Sequence, residues 1–174
     1  MPPFVVNVAD LVHRPSSRRT EELSGPTAEM VVTETVVPEG TTLHVDVVLE
    51  AISDGVLATG DARGEWEANC RRCLTPITGL TSSNFRELYS STPVEGETYP
   101  VRHDSVDLEL VAREAILLDL PLAPLCGDDC LGLCPTCGVD RNENPCSCAV
   151  PAENQRWAAL DGLRTSLTGG LSGE

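Results

Sequence analysis

The chain has 174 residues, 41% of them hydrophobic and only 3% aromatic, so it can bury a core built mostly from Val, Leu and Ala but lacks the rings needed to stack successive bases of a single strand. Twelve basic residues against 27 acidic ones leave a net charge of -15, which argues against a broad phosphate-binding face and against DNA as a partner. All twelve basic residues are Arg, which excludes lysine Schiff-base and P-loop chemistry.

From Phe4 to about Tyr89 the pattern is strand-like, with β-branched residues bounded by Gly, Pro, Ser and Asp. Phe4 to Val8 reads as a short strand. His13 to Pro26 is polar and reads as a loop or arm carrying Arg14, Arg18 and Arg19. Glu29 to Val37 and Leu43 to Ile52 alternate as half-buried strands, with Pro38-Glu39-Gly40 as the turn and Val45, Val47 and Leu49 on one face. Ser53-Asp54-Gly55 leads into a strand from Val56 to about Ala68, and another runs from Pro76 towards Tyr89, which makes an antiparallel meander.

Thr92 to Asp104, rich in Pro, Gly and carboxylates, reads as a surface connection. The period then changes. Leu108, Val111, Ala112, Ala115 and Leu118 recur at three- and four-residue steps and predict a helix over 107–118, with Ser105 as N-cap and Pro121 and Pro124 as its stop. Near the end, Trp157, Leu160, Leu163 and Leu167 have the spacing of a short amphipathic helix, followed by a frayed tail.

No run of 18 apolar residues occurs, and Met1-Pro2-Pro3-Phe4 does not open a basic region followed by an apolar one, so the chain is expected to be cytoplasmic, with no membrane partner. Eight Cys in such a chain are expected to be reduced, which favours metal binding or redox chemistry over disulfides. Six of the eight lie between Leu125 and Cys148, a segment with almost no large apolar side chains, so something other than a core must hold it.

The cysteines come as Cys70-Arg71-Arg72-Cys73, then Cys126 and Cys130, then Cys134-Pro135-Thr136-Cys137-Gly138, and last Cys146-Ser147-Cys148. Zinc takes four tetrahedral ligands, and a C-x-x-C turn presents two thiolates with backbone amides aimed at the sulfurs. Eight ligands make two sites. Cys134, Cys137, Cys146 and Cys148 form one, a knuckle in which Gly138 takes the positive φ after the second ligand. Cys70, Cys73, Cys126 and Cys130 form the other, with a swap of Cys126 or Cys130 into the knuckle as the competing partition. An iron–sulfur cluster accepts four thiolates too, but these spacings lack the closely staged ferredoxin pattern. A redox role for Cys70 and Cys73 wants a βαβ context and a helix N-terminus, and here the pair follows a strand-like run and precedes Leu74-Thr75-Pro76.

Elsewhere the chain offers little chemistry. His13, His44 and His103 are scattered, and there is no nucleophile elbow, glycine-rich phosphate loop or His-Glu-x-x-His helix. Glu95, Glu97, Asp104, Asp107 and Glu109 form an acidic cluster, a solvated face or a contact for basic protein segments. Arg63, Arg71 and Arg72, with Arg14, Arg18 and Arg19, are candidates for a basic patch.

Trp66 leading into Cys70-Arg-Arg-Cys73-Leu74-Thr75-Pro76, a helix ending in Leu118-Asp119-Leu120-Pro121-Leu122, then Cys126, Cys130-Leu131-Gly132-Leu133-Cys134-Pro135-Thr136-Cys137-Gly138 and Cys146-Ser147-Cys148, resembles the YceD family of large ribosomal RNA subunit accumulation proteins. The likeness covers about Trp66 to Trp157 and is most specific in Gly-Leu-Cys-Pro-x-Cys-Gly; it departs from the family at Val139-Asp140-Arg141-Asn142, where a more Asn- and Leu-rich turn is expected. The resemblance implies a bacterial, non-enzymatic factor for 23S rRNA accumulation and large (50S) subunit biogenesis. Its implied partners are the pre-50S particle, 23S rRNA or a basic large-subunit ribosomal protein.

The expectation is thus an α+β chain: a mostly antiparallel β domain over 1–120 with one central helix, a cysteine-rich zinc-bound segment over 121–150, and a C-terminal helix and tail over 151–174. Two zinc ions are expected on the eight Cys. The rival from another class is a cytoplasmic thiol-disulfide redox protein using the Cys70/Cys73 pair.

Overall fold

The structure is a computed structural model and describes residues 2–12, 14, 16–148 and 160. The expected C-terminal helix falls outside the described residues. The chain is mostly antiparallel β, with few helices. In order it forms β1 (Val5–Asn7), α1 (Ala9–Val12), β2 (Arg18–Pro26), β3 (Met30–Val32), β4 (Thr35–Val37), β5 (Thr42–Ile52), β6 (Gly55–Asn69), β7 (Pro76–Ser90), β8 (Tyr99–Pro100), β9 (Ser105–Asp107) and α2 (Glu109–Asp119). Among the described residues no helix is long and apolar enough to cross a membrane.

The meander β5–β6–β7 is the frame of the fold. Val45 pairs with Ala62 and Leu49 with Ala58 across β5 and β6, and β6 pairs with β7 without a break from Val56↔Tyr89 to Asn69↔Pro76. Leu43, Val45, Val47, Leu49, Val56, Ala58 and Ala62 are buried on one face of this sheet, as their alternation requires. Two tight turns lead into β5 and β6. In the first, Gly40 has φ 84° and the Thr41 amide donates to the Pro38 carbonyl, a turn that glycine makes cheap. In the second, Ser53-Asp54 joins β5 to β6, and a Cβ on Gly55 (φ 148°) would lie 1.9 Å from the Tyr89 carbonyl oxygen.

Helix α2 lays Val111, Ala112, Ala115 and Ile116 on the core, which also holds Phe4, Val8, Val106 and Leu108 from the β1–β9 pair and its neighbours. It begins two residues later than the periodicity suggests. Ser105 belongs to β9 rather than capping the helix; Leu108 is the N-cap residue, and the Asp107 carboxylate accepts the Glu109 amide. Leu118 is 88% exposed instead of buried, because Ile116 and Leu120 take the core positions at that end.

Two strand expectations are corrected. The stretch expected as a loop from His13 to Pro26 contains β2, which pairs residue by residue with β5 from Arg18↔Glu50 to Pro26↔Thr42. Its side chains are polar because it lies at the sheet edge and is held by the backbone ladder. Glu29 to Val37 is two strands rather than one, since Thr33 at φ 56° folds β3 back on β4. Within the expected Thr92–Asp104 connection, β8 pairs parallel with the end of β7.

The chain divides into two units, Met1–Cys130 and Leu131–Glu174. The division falls inside the cysteine-rich segment: 121–130 goes with the β-rich unit, because Cys126 and Cys130 meet Cys70 and Cys73.

Candidate functional site

Two groups of four cysteines are assembled, Cys70, Cys73, Cys126 and Cys130 in the first unit and Cys134, Cys137, Cys146 and Cys148 in the second, with the sulfurs of each group all within 4.8 Å of one another. This is the partition expected from the spacing, without a swap.

The first group forms at the far end of the β6–β7 hairpin. The Cys70 amide donates to the Thr75 carbonyl and the Leu74 amide to the Cys70 carbonyl, which curls 70–75 into a knuckle and puts Leu74 at φ 63°. The chain after α2 is tied to this knuckle from two sides. The Arg71 amide donates to the Pro124 carbonyl at 3.0 Å, and the Arg72 guanidinium donates to the Cys130 carbonyl at 2.9 Å. Cys70 Sγ stands 3.7 Å from Cys130 Sγ, and Cys73 Sγ 3.5 Å from Cys126 Sγ. Cys70, Cys73 and Cys130 are buried and Cys126 is exposed.

The second group repeats the local design. The Gly138 amide donates to the Cys134 carbonyl, the Cys134 amide to the Val139 carbonyl, and Gly138 has φ 75°, the positive value expected of it. The Thr136 amide approaches Cys134 Sγ at 3.4 Å. The turn that departs from the family pattern is held by its own side chains. Asp140 accepts from the Asn142 amide and side chain, and Asn142 Oδ1 accepts the Leu131 amide at 2.8 Å. Among the described residues of 131–148 only Gly132 and Cys134 are buried, so this unit has no apolar core there.

Both groups suit a tetrahedral divalent ion. Four thiolates around zinc at about 2.3 Å leave sulfurs roughly 3.8 Å apart, close to the spacing present before any ion is considered. The electrostatics agree. Burial pushes the Cys70 thiol up, but the amides of Cys73, Arg72 and Cys126 and the Cys73 thiol outweigh it and bring it down to about 6. The amides of Cys137 and Thr136 bring Cys134 to about 6 against its burial. The thiols of Cys130 and Cys73, together with burial, push Cys126 up to about 12. Cys137 and burial do the same to Cys148, to about 12. The Cys148 amide favours the Cys146 thiolate, yet Cys134 and burial still leave that thiol raised. Negative charge therefore gathers readily on Cys70 and Cys134 and resists spreading to Cys126 in the first group and to Cys146 and Cys148 in the second. A cation bound there would supply the missing charge.

The other sequence candidates do not converge on a site. Arg19 pairs with Asp10 at 2.9 Å and with Glu21, while Arg63 pairs with Asp46 and Asp61. Arg72 is spent on the Cys130 carbonyl, and Arg14, Arg18 and Arg71 are exposed. Two of the six arginines of the expected basic patch, Arg19 and Arg63, are thus paired with neighbouring carboxylates. Glu95, Glu97, Asp104 and Asp107 are exposed and Glu109 half-buried, with Asp107 also holding the start of α2. His44 and His103 are exposed; His13 lies outside the described residues. Sequence reasoning missed Thr75, whose hydroxyl lies 3.2 Å from Cys73 Sγ, and the Asp140–Asn142 pair. Thr75 stands two residues after a C-x-x-C, and Asp140-x-Asn142 has the spacing of an Asx turn, the signal that pointed to the latter.

The chain was compared with known proteins. A family model described as large ribosomal RNA subunit accumulation protein YceD matches residues 58–164. An uncharacterized protein of Mycobacterium tuberculosis is 32% identical over 166 residues, covering 91% of this chain and 80% of the relative. An uncharacterized protein of Mycobacterium leprae is 33% identical over 145 residues, covering 79% of this chain and 67% of the relative. A chloroplastic protein of Arabidopsis thaliana, large ribosomal RNA subunit accumulation protein YCED homolog 1, is 22% identical over 163 residues, covering 75% and 51%. No solved structure matches. The matched span holds both cysteine groups, most of the β6–β7 hairpin and α2, and the chain belongs to the YceD family.

Proposed function

We propose that the chain is a non-enzymatic factor for 23S rRNA accumulation and large-subunit biogenesis in the bacterial cytoplasm, with one structural zinc ion on each cysteine group. The observation that carries this reading is the pair of preassembled four-thiol groups inside the span matched by the family model. All eight cysteines are ligands in it. Zinc closed by four protein ligands keeps no open position for substrate, which fits a structural role. The rival redox reading of Cys70 and Cys73 is disfavoured by their setting in a β-hairpin end facing two further thiols, with no helix N-terminus behind them among the described residues.

Two mechanisms follow from the family role, direct contact with 23S rRNA or escort of a basic ribosomal protein. Charge favours escort. The net charge is -15, and Arg19 and Arg63 already face carboxylates. An RNA face would need free guanidinium groups in number, whereas a cationic protein needs only the acidic surface. The test is charge reversal on that surface: Glu95→Lys and Glu97→Lys with Asp104→Asn, the last chosen because Asn tolerates the φ of 55° there. This variant is expected to keep both metals, lose affinity for basic ribosomal proteins and gain affinity for rRNA fragments. Unchanged binding of basic ribosomal proteins overturns escort at that surface.

A further inference from the structure

The sheet has two long outer strands of unlike character. β2 carries Arg18, Arg19, Glu21 and Glu22 within nine residues and ends in Pro26, and Pro3 lies against its Gly25. Charge and proline are the usual guards against pairing with another chain. β7 has few of these. After Pro76 its solvent-facing side reads Thr78, Leu80, Ser82 and Asn84 before the single cation of the strand, Arg86. Leu80 is 78% exposed. Its unbroken register with β6 means that no bulge turns it aside. Among the described residues its far edge pairs only with β8, at Tyr89 and Ser90, so 76–88 has no strand partner on that side.

Carboxylates flank this edge on both faces of the sheet. On the solvent side, Glu67 and Glu65 of β6 stand in register with Thr78 and Leu80 and are exposed. On the core side, α2 meets β7 and β8 through its acids: Asp119 accepts the Thr81 hydroxyl and Glu114 the Tyr99 hydroxyl. Its cation, Arg113, turns away to Thr27, Ala28 and Glu29, so it does not offset them.

We propose that the open edge of β7 over 76–88 is a strand-addition site for an extended basic segment of a partner protein. The backbone ladder supplies affinity, Leu80 an apolar contact for alternate side chains, and Glu65 and Glu67 the preference for Lys or Arg. A second copy of this chain brings another charge of -15 and is repelled. A nucleic acid strand has no amide ladder to pair. The proposal rests on the escort reading above and adds the β7 edge, with Glu65 and Glu67, as a contact for the client separate from the Glu95, Glu97 and Asp104 surface.

The test uses the full, zinc-loaded chain and a labelled peptide of alternating lysine and valine, about ten residues long, beside a glutamate–valine peptide and a single-stranded RNA of similar length. Exchange of the amides of 76–88 that face away from β6 is expected to slow about tenfold with the lysine peptide and with neither control, while β2 is unaffected. Leu80→Lys with Ser82→Lys, both on exposed side chains, is expected to weaken peptide binding at least about tenfold, and Leu80→Glu with Ser82→Glu to keep or tighten it. Circular dichroism checks that both variants fold. The proposal is overturned if the amides of 76–88 that face away from β6 are already protected in the free chain, if RNA or self-association protects them in place of the peptide, or if the lysine variant binds as well as the original. A lysine variant that still binds peptide removes the edge but leaves escort standing. A chain that binds neither the peptide nor any basic ribosomal protein removes both.

Discussion

Stripping metal from the first unit should cost about 4 kcal/mol of its stability. Cys73 and Cys126 lie 53 positions apart, and an ion held by both knuckle and loop closes that segment even in an unfolded chain that keeps the metal. Treated as a cross-link, closing a loop of this length removes about 14 cal/mol/K of unfolded-state entropy, or about 4 kcal/mol at room temperature. An unfolded chain that releases the ion is no longer closed, and the linkage free energy set by free zinc over its dissociation constant then takes the place of the closure figure. With a urea dependence of about 2 kcal/mol per molar, the midpoint followed by β-sheet circular dichroism should fall by about 2 M after chelation. The sheet should nevertheless persist without denaturant, because Val45, Val47, Leu49 and α2 form a core independent of the sulfurs. A chelated chain whose midpoint stays within about 0.5 M of the loaded one would refute the bridging argument.

Two other outcomes follow from the geometry. Replacing Cys134 and Cys137 by Ser should lower zinc from about two ions per chain to about one by elemental analysis, abolish protection in 131–148, and leave exchange in β5, β6 and β7 unchanged. Burial raises the hydroxyl pKa of Tyr89, with Tyr99, Asp107 and Glu87 adding to it; burial and the Glu114 carboxylate raise that of Tyr99. Raised folded values mean that the two groups contribute stability fully present below the ordinary tyrosine pKa of about 10 and lost as pH climbs through the folded values. Because these are the only two tyrosines of the sequence, tyrosinate absorbance should appear only above that range and together with loss of the β signal.

How much of this was legible in the sequence depends on where each element draws its stability. β5, β6 and β7 are written plainly, because Val45, Val47 and Leu49 alternate and Ser53-Asp54-Gly55 and Gly40 mark the turns. The cysteine groups are equally legible, since a C-x-x-C pair fixes two ligands locally and leaves only the partner pair to be found. β2 was not, because Arg18 to Pro26 has no apolar period and owes its strand to the ladder with β5. The helix start was misplaced because Ser105 has the chemistry of a cap, yet its backbone is claimed by pairing with Asn7. Nothing local marks Leu74 as a residue of positive φ; the Cys70 carbonyl and the closing of the knuckle put it there. The pairing of Arg63 with Asp46 and Asp61 depends on register across β5 and β6, and it separates an apparent basic patch from a usable one.

The central claim is tested most directly by depleting the chain from the cell that makes it and measuring 23S against 16S rRNA together with the subunit profile. We expect 23S rRNA and mature 50S particles to fall while 16S rRNA is maintained, with rescue by the intact chain and not by a chain lacking the thiols of Cys70 and Cys73. An unchanged ratio and profile across growth conditions would contradict a role in large-subunit biogenesis.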